Sequence, residues 1–145
     1  MKKLIICFVL ALLILLGILF FETNIYYIGF ILPAFMFLNG YAAYSVRYEI
    51  GSYFGYRAGV SEKNADTWEF ANTYSGKLTM KLSVILLIIL ELLMFLFKPK
   101  PLIAELMLLP AICSVFIVGV KTEKELNKIF DWQGNRRELL NTKEE

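Results

Sequence analysis

Long apolar runs alternate with short polar segments along the chain. Four runs reach or approach the length of a membrane span, and they cover residues 4–21, 25–46, 82–97 and 102–120. A helix needs about 20 apolar residues to cross roughly 30 Å of hydrocarbon. The third run is short, but residues 78–81 can extend it at its start. The pattern predicts an all-α membrane protein, with four transmembrane helices in two hairpins forming one integral membrane domain over residues 1–145.

The first run begins after Met-Lys-Lys, as the apolar part of a signal peptide would. It is longer than that apolar part usually is, and no small-x-small cleavage site follows it. Cys7 stands at the start of the run and not after it, which does not fit a lipoprotein signal. We therefore expect the first run to be an uncleaved membrane anchor.

Lysine and arginine are divided unequally between the two sides of this layout. Thirteen of them lie near the N-terminus, in the loop 47–81 and in the tail 121–145, whereas only Lys98 and Lys100 lie in the turn between the third and fourth runs. Cytoplasmic loops of membrane proteins carry the excess of positive charge. We therefore expect both termini, the loop and the tail on the cytoplasmic side.

The loop 47–81 is the most polar interior segment of the chain. Three glycines interrupt its first part, and they are Gly51, Gly55 and Gly59. Ser61 or Asn64 can then cap a new helix. From Trp68 to Leu78 apolar residues recur at intervals of three or four, which is typical of one helical stripe. We expect a separate helix here, lying on the membrane surface before the third span.

The tail continues the periodicity of the fourth run. Leu126, Ile129 and Phe130 fall on one side of a helix, and Trp132 can extend this side. Gly134 is a reasonable C-cap, because glycine readily adopts the left-handed conformation that ends many helices. The tail is therefore predicted to be an amphipathic helix on the cytoplasmic side.

The composition excludes several kinds of chemistry. The chain is 58% hydrophobic with a mean hydropathy of +0.60, outside the range of soluble proteins. Histidine is absent, so no Ser-His-Asp or Cys-His nucleophile and no histidine-based zinc site can form. The net charge of +2 is too small and too mixed to indicate a nucleic-acid partner. We expect a protein that is not an enzyme, binds no cofactor or metal, and has membrane lipid as a partner.

One amide and two carboxyl side chains interrupt the apolar runs, and they are Asn39, Glu91 and Glu105. A carboxyl group inside a membrane is costly without a partner, so it indicates a function or a specific contact. Glu105 is near enough to the outer surface to reach the lysines of the turn. Glu91 is expected to be deeper and better enclosed, with either a functional role or a structural hydrogen bond. Asn39 and the adjacent Gly40 indicate close helix packing more than ligand contact.

Two segments carry a recognisable motif. The loop reads GYRAGVSEKNADTWEFANTYSGKL, and its motif positions are Gly55, Tyr56, Arg57, Ser61, Trp68, Asn72, Gly76 and Lys77. The motif positions of the tail are Thr122, Glu123, Leu126, Phe130, Asp131, Gly134 and Arg136. Together they resemble the SdpI family, bacterial membrane proteins that give immunity to a secreted sporulation-delaying toxin. Ala58 stands where that family usually has threonine.

The motif residues allow two interpretations. In the first, Arg57 binds a lipid phosphate, a tail carboxylate such as Glu123 or Asp131, or the C-terminus of a partner. Trp68 would then anchor the surface helix, and Asn72 would bond across to the turn. In the second interpretation, Arg57, Trp68 and Asn72 only lock the loop to the helix bundle.

The resemblance implies a protein of the bacterial cytoplasmic membrane that binds a peptide toxin. It also implies a relay to a cytoplasmic regulator, and a homo-oligomer is compatible with it. The alternative is a small transporter or lipid-handling protein that uses Glu91 and Glu105, which would need an oligomer because four spans are few for a transport path. An enzyme acting on lipid headgroups is disfavoured by the absence of histidine.

Overall fold

The computed structural model describes residues 26–96 and 101–137. Within these ranges the chain forms helices and no strand. The α-helices are α1 (Tyr26–Ser45), α2 (Ala65–Leu96) and α3 (Pro101–Ile129), and a 3-10 helix covers Gly59–Glu62. The prediction of an all-helical chain is confirmed. The first predicted run, residues 4–21, lies outside the described residues.

Helix α2 is longer than the sequence pattern predicted. It begins at Ala65 after the expected cap, because Asn64 Oδ1 accepts the backbone N–H of Thr67 at 2.9 Å and Thr67 Oγ1 accepts that of Asn64 at 3.1 Å. It then continues without a break to Leu96, roughly 48 Å at 1.5 Å per residue. The prediction of a separate surface helix is therefore wrong. No proline lies between Asn64 and Leu96, and Gly76 leaves the helix unbroken.

Helices α1 and α2 cross at a pair of glycines. A Cβ atom on Gly40 would lie 2.9 Å from the backbone oxygen of Gly76, and one on Gly76 would lie 2.7 Å from the backbone oxygen of Gly40. Both distances are below normal van der Waals contact, so the two backbones meet as closely as they do only because neither residue has a side chain. The expected close packing at Gly40 is confirmed.

The buried apolar side chains form two clusters. One lies among the three helices and contains Met36, Leu86, Leu90 and Ala111. The other lies where the loop and the tail meet, and it contains Val60, Ala71, Leu126 and Phe130. The second cluster is what joins the polar segments of the chain to the helices.

Many large apolar side chains of α2 and α3 remain exposed. We call this surface the apolar belt: Val84, Ile85, Ile88, Ile89, Leu92, Phe95 and Leu96 on α2, with Leu109, Ile112, Val115, Phe116, Ile117 and Val120 on α3. Judged on the residues that the structure describes, none of the helices has both the length and the apolar character that crossing a membrane requires.

The tail differs from its prediction beyond the end of α3. Leu126 and Phe130 are buried as expected, but Trp132 is 75% exposed. Gly134 has a φ of +92°, yet it lies in a turn after the helix and is not its C-cap. The reason is Asp131, whose Oδ1 accepts the backbone N–H groups of Gln133 and Asn135 at 2.9 and 2.8 Å. This Asx-type turn reverses the chain and pairs Phe130 with Arg136.

Candidate functional site

Asn72 lies at the centre of the motif residues. Its side chain is fully buried. Its Oδ1 accepts the backbone N–H of Tyr56 at 2.6 Å, and its Nδ2 donates to the backbone oxygen of Trp68 at 3.0 Å. Asn72 therefore bonds across to the loop, as predicted. A Cβ atom on Gly55 would lie 2.7 Å from Asn72 Oδ1 and 2.9 Å from the ring of Trp68, so glycine at position 55 is what allows this approach.

Trp68 is buried and does not anchor a surface helix. Its Nε1 donates to the backbone oxygen of Val46 at 3.0 Å, just past the end of α1. That carbonyl also accepts the backbone N–H of Glu49 at 2.9 Å, and the buried indole N–H finds its own acceptor there. Trp68 thus ties the N-terminal part of α2 to the end of α1, and the surface prediction is wrong.

Arg57 contacts neither of the tail carboxylates expected for it. Its Nη2 donates to the backbone oxygens of Gly51 and Ser52 at 2.5 and 2.6 Å, and its Nε lies 3.6 Å from Glu62 Oε1. The guanidinium carbon also lies 5.9 Å from the centroid of the Trp68 ring. The side chain therefore closes the loop on itself, while one part of it stays accessible to solvent.

Tyr56 makes the contact with the tail that was expected of Arg57. Its Oη lies 3.2 Å from both the backbone oxygen of Gly119 and Glu123 Oε2, and it can donate its proton to either. Burial, together with the negative charge of Glu123, raises the pKa of the Tyr56 phenol to about 12. The phenol is therefore a proton donor at any physiological pH. Gly59, with a φ of +56°, leaves room for the Glu123 carboxylate, which a Cβ atom there would strike.

Ser61 and Asn64 hold the 3-10 turn and the tail. Ser61 is buried, and its Oγ accepts the backbone N–H of Ala58 at 3.0 Å and donates to the backbone oxygen of Tyr56 at 3.3 Å. Asn64 Nδ2 donates to the backbone oxygen of Gly134 at 2.8 Å. Asn64, which caps the start of α2, thus also fixes the position of the turn that follows α3.

Arg136 joins the tail to the first turn of α2. Its Nε and Nη2 donate to the two carboxylate oxygens of Asp66 at 2.6 and 2.7 Å, and this bidentate contact holds the pKa of Asp66 below its usual value. Sequence reasoning missed Asp66. The available signal was an acidic residue in the first turn of a capped helix, where an arginine from another segment can pair with it. Both side chains are nearly half exposed, so the pair adds little stability by itself.

The remaining predicted site residues do not join this cluster. Gly76 lies at the helix crossing, and Lys77 is exposed, with its Nζ 5.7 Å from the centroid of the Tyr44 ring. Asn39 Nδ2 donates to the backbone oxygen of Phe35 within α1 at 3.0 Å. Glu91 is exposed on α2 and is not enclosed as expected, because it faces away from α1 and α3. The side chain of Glu105 lies outside what the structure describes.

The motif residues form what we call the loop clamp: Gly55, Tyr56, Arg57, Ser61, Trp68, Asn72 and Glu123. The polar groups described above bond to one another or to nearby backbone. Within the described ranges, no group of three or more Cys, Asp or Glu side chains is arranged to hold a metal ion. The clamp can fix one geometry of loop, α2 and α3, and it leaves the exposed faces of those helices for contacts with other molecules.

The described residues thus define a helical protein whose polar loop is fixed against one end of its helices. The chain belongs to the SdpI/YfhL protein family, because the sequence model of that family matches residues 47–121, more than half of its length. The match covers the loop, α2 and most of α3. No curated protein and no solved structure matches the chain. Glu123, Asp131 and Arg136 lie beyond the matched segment. The contacts of Glu123 with Tyr56 and of Arg136 with Asp66 link the tail to the matched segment, whereas Asp131 bonds only within the tail.

Proposed function

We propose that this chain is an SdpI-like integral protein of the bacterial cytoplasmic membrane that gives immunity to a membrane-active peptide toxin by binding it within the bilayer. The observation that carries the proposal is the apolar belt, the exposed apolar side chains of α2 and α3. The chain belongs to the SdpI/YfhL protein family, and the resemblance of its loop and tail motifs to SdpI implies immunity as the kind of function.

The apolar belt supports a membrane location. Phe95 is 87% exposed and Ile88 62% on α2, and Phe116 is 70% exposed on α3. Contiguous apolar surface of this extent is rare on soluble monomers and marks contact with lipid or with a partner. The four-span arrangement, with residues 4–21 as the first span, is part of the proposal.

The charges support a cytoplasmic position for the loop clamp. Arg57, Lys63, Lys77 and Lys81 all belong to the loop or to the first half of α2, and Lys121, Lys124 and Lys128 belong to the last turns of α3. A concentration of cations at one end of a helix bundle favours the cytoplasmic side. Both termini are then cytoplasmic as well.

Binding is proposed to occur by association of helices. A toxin helix that packs against the apolar belt gains van der Waals contact in place of lipid, without any catalytic step. The clamp would hold α2 and α3 in the geometry that the toxin contacts. The exposed loop and tail, which include Trp132, would be available to a cytoplasmic regulator, and a second copy of the chain could use the same belt.

The test is protection of a sensitive bacterium. Cells that express the chain and cells with an empty vector are exposed to a purified sporulation-delaying peptide toxin, and survival is measured at equal protein levels in the membrane fraction. The proposal expects higher survival with the protein. Equal survival of the two strains would overturn the immunity function.

Two exposed aromatic side chains provide a matched pair of variants. Phe95 lies on the belt, and Trp132 lies in the tail. We expect Phe95→Ala to reduce protection, because it removes contact area that the toxin would use, and Trp132→Ala to leave protection unchanged. Equal loss in both variants would mean that the belt is not the binding surface.

The exposure of Glu91 favours the alternative function, a small transporter. Its carboxyl group is exposed between belt residues such as Ile88 and Leu92, where lipid would leave it without a partner. An oligomer that buried Glu91 could use it to carry protons. The test uses liposomes with an imposed pH gradient. If the protein is a transporter, the wild-type protein dissipates the gradient and the Glu91→Gln protein leaves the gradient intact. Glu49→Gln, in the exposed loop, is the matched control, and a Glu91→Gln protein as active as wild type would count against the alternative.

A further inference from the structure

A cavity of about 300 Å³ lies between α1, the loop, α2 and α3. Its polar lining includes Asn39, Ser75 and Thr79, together with Tyr53 and Tyr56, and its apolar lining includes Ala42, Phe54 and Val118. The loop residues that form one of its walls are those held by Asn72. Two members of the loop clamp, Gly55 and Tyr56, also line the cavity, so the cavity adjoins the clamp and depends on it for its shape.

Ser75 is the unusual residue of this cavity. It is 3% exposed, and its Oγ is the one buried side-chain polar atom among the described residues that has no hydrogen-bond partner. Other buried hydroxyl groups of these helices bond to their own backbone. Ser83 Oγ donates to the backbone oxygen of Met80 at 2.7 Å, and Thr122 Oγ1 donates to that of Val118 at 2.7 Å. A buried polar group without a hydrogen-bond partner destabilises a protein. A ligand that bonds to Ser75 Oγ would therefore stabilise the folded protein.

The neighbours of Ser75 define what such a group must offer. Thr79 Oγ1 donates its proton to the backbone oxygen of Ser75 at 2.8 Å, so towards the cavity it can only accept. Asn39 uses Nδ2 within α1, which leaves its Oδ1 as an acceptor. No Lys, Arg, Asp or Glu lines the cavity, so a charged ligand would lose its hydration without gaining a counter-charge.

We propose that this cavity binds the neutral hydrogen-bonding end of a small amphipathic molecule, of the primary amide class. The two N–H groups of a primary amide match the acceptors Asn39 Oδ1 and Thr79 Oγ1, and its carbonyl oxygen matches the hydroxyl of Ser75. The apolar body of the ligand packs against Ala42, Phe54 and Val118. This site does not depend on the immunity function.

The test uses the purified full-length protein in detergent with three probes of one shape. Benzamide is neutral, benzoate is an anion and benzamidinium is a cation, and binding is followed by saturation-transfer NMR and by the thermal unfolding midpoint. We expect saturable binding of benzamide and a rise of the midpoint, with no effect from the two ions at the same concentrations. Equal responses to all three probes, or no response to benzamide, would overturn the proposal.

Two serine variants distinguish this site from uptake by the detergent. Ser75→Ala removes the unpartnered hydroxyl, so we expect a higher midpoint for the free protein and loss of the benzamide effect. Ser83→Ala removes a bonded hydroxyl on the same helix, so we expect a lower midpoint and an unchanged benzamide effect. Ala42→Leu, which fills the cavity, should also abolish binding. Benzamide binding that survives both Ser75→Ala and Ala42→Leu would place it elsewhere and refute the site.

Discussion

A single buried amide holds the loop in place. Asn72 accepts from the backbone of Tyr56 and donates to that of Trp68, so it joins a segment without regular structure to a helix. In the connection between α1 and α2, side chains accept some of the backbone N–H groups, because that of Tyr56 bonds to Asn72 and that of Ala58 bonds to Ser61. The position of Tyr56, and with it the contact to Glu123, therefore depends on position 72.

Replacing Asn72 by alanine tests this dependence. The variant leaves the buried N–H of Tyr56 without its acceptor and opens a small void, so we expect the free energy of unfolding to fall by about 2–3 kcal/mol. The measurement is chemical unfolding in mild detergent, followed by tryptophan fluorescence. Asn127→Ala, at an exposed position of α3, is the control and should change stability by less than about 0.5 kcal/mol. Equal effects of the two substitutions would show that the amide does not hold the loop.

The sequence predicted the contact of Asn72 but not those of Trp68 and Arg57. The partners of Trp68 and Arg57 are largely backbone oxygens, those of Val46, Gly51 and Ser52. A pattern of side chains cannot show which backbone oxygens a distant side chain will reach, because that depends on the path of the chain after α1. Charge complementarity suggested the tail carboxylates for Arg57, whereas the folded chain offers closer acceptors.

At the scale of elements, the continuity of α2 decides the architecture. Helix α2 carries the loop contacts in its first half and the apolar belt in its second half, so the two regions form one rigid body. The sequence located the start of the helix correctly from Asn64, because capping is a local property. The sequence pattern does not reveal this continuity, because the change from a polar to an apolar stretch at Leu78 resembles a helix boundary. Gly76 is a motif position, and in the structure it contacts Gly40.

Substitution of helix glycines tests the crossing of α1 and α2. Alanine at position 76 would place its Cβ 2.7 Å from the backbone oxygen of Gly40 and 2.8 Å from the backbone nitrogen of Tyr44, and backbone cannot move aside as a side chain can. We expect Gly76→Ala to lower the unfolding free energy by about 1–3 kcal/mol despite the better helix propensity of alanine.

Gly119 offers the matched control for this experiment. It is also inside a helix, but a Cβ atom there would meet nothing within 4 Å. Gly119→Ala should therefore raise stability by about 0.5–1 kcal/mol, because only the propensity changes. The same unfolding measurement serves both variants, and a stabilised Gly76→Ala protein would show that the helices do not touch at these glycines.

At the scale of the whole molecule, polar contacts and the apolar belt are separated along the helices. Asn64, Asp66 and Tyr56 connect the loop to Gly134, Arg136 and Glu123 of the tail. The periodicity of the tail predicted that Leu126 and Phe130 would be buried, since burial follows from helical spacing. It could not predict the turn at Asp131, because the direction in which the chain leaves α3 depends on contacts with Asn64 and Asp66, which are distant in sequence.

The joining of loop and tail leads to a prediction about topology. Two segments held together by direct hydrogen bonds must lie on one side of any membrane, and in the proposed orientation that side is the cytoplasm. In a background with Cys7 and Cys113 replaced by alanine, we expect Ala58→Cys and Trp132→Cys to react with a membrane-impermeant maleimide in everted vesicles and not in intact cells. Lys98→Cys, at a position outside the described residues, should show the reverse. Labelling of positions 58 and 132 from opposite sides would contradict the clamp itself, whereas labelling of both from the exterior would contradict only the proposed orientation.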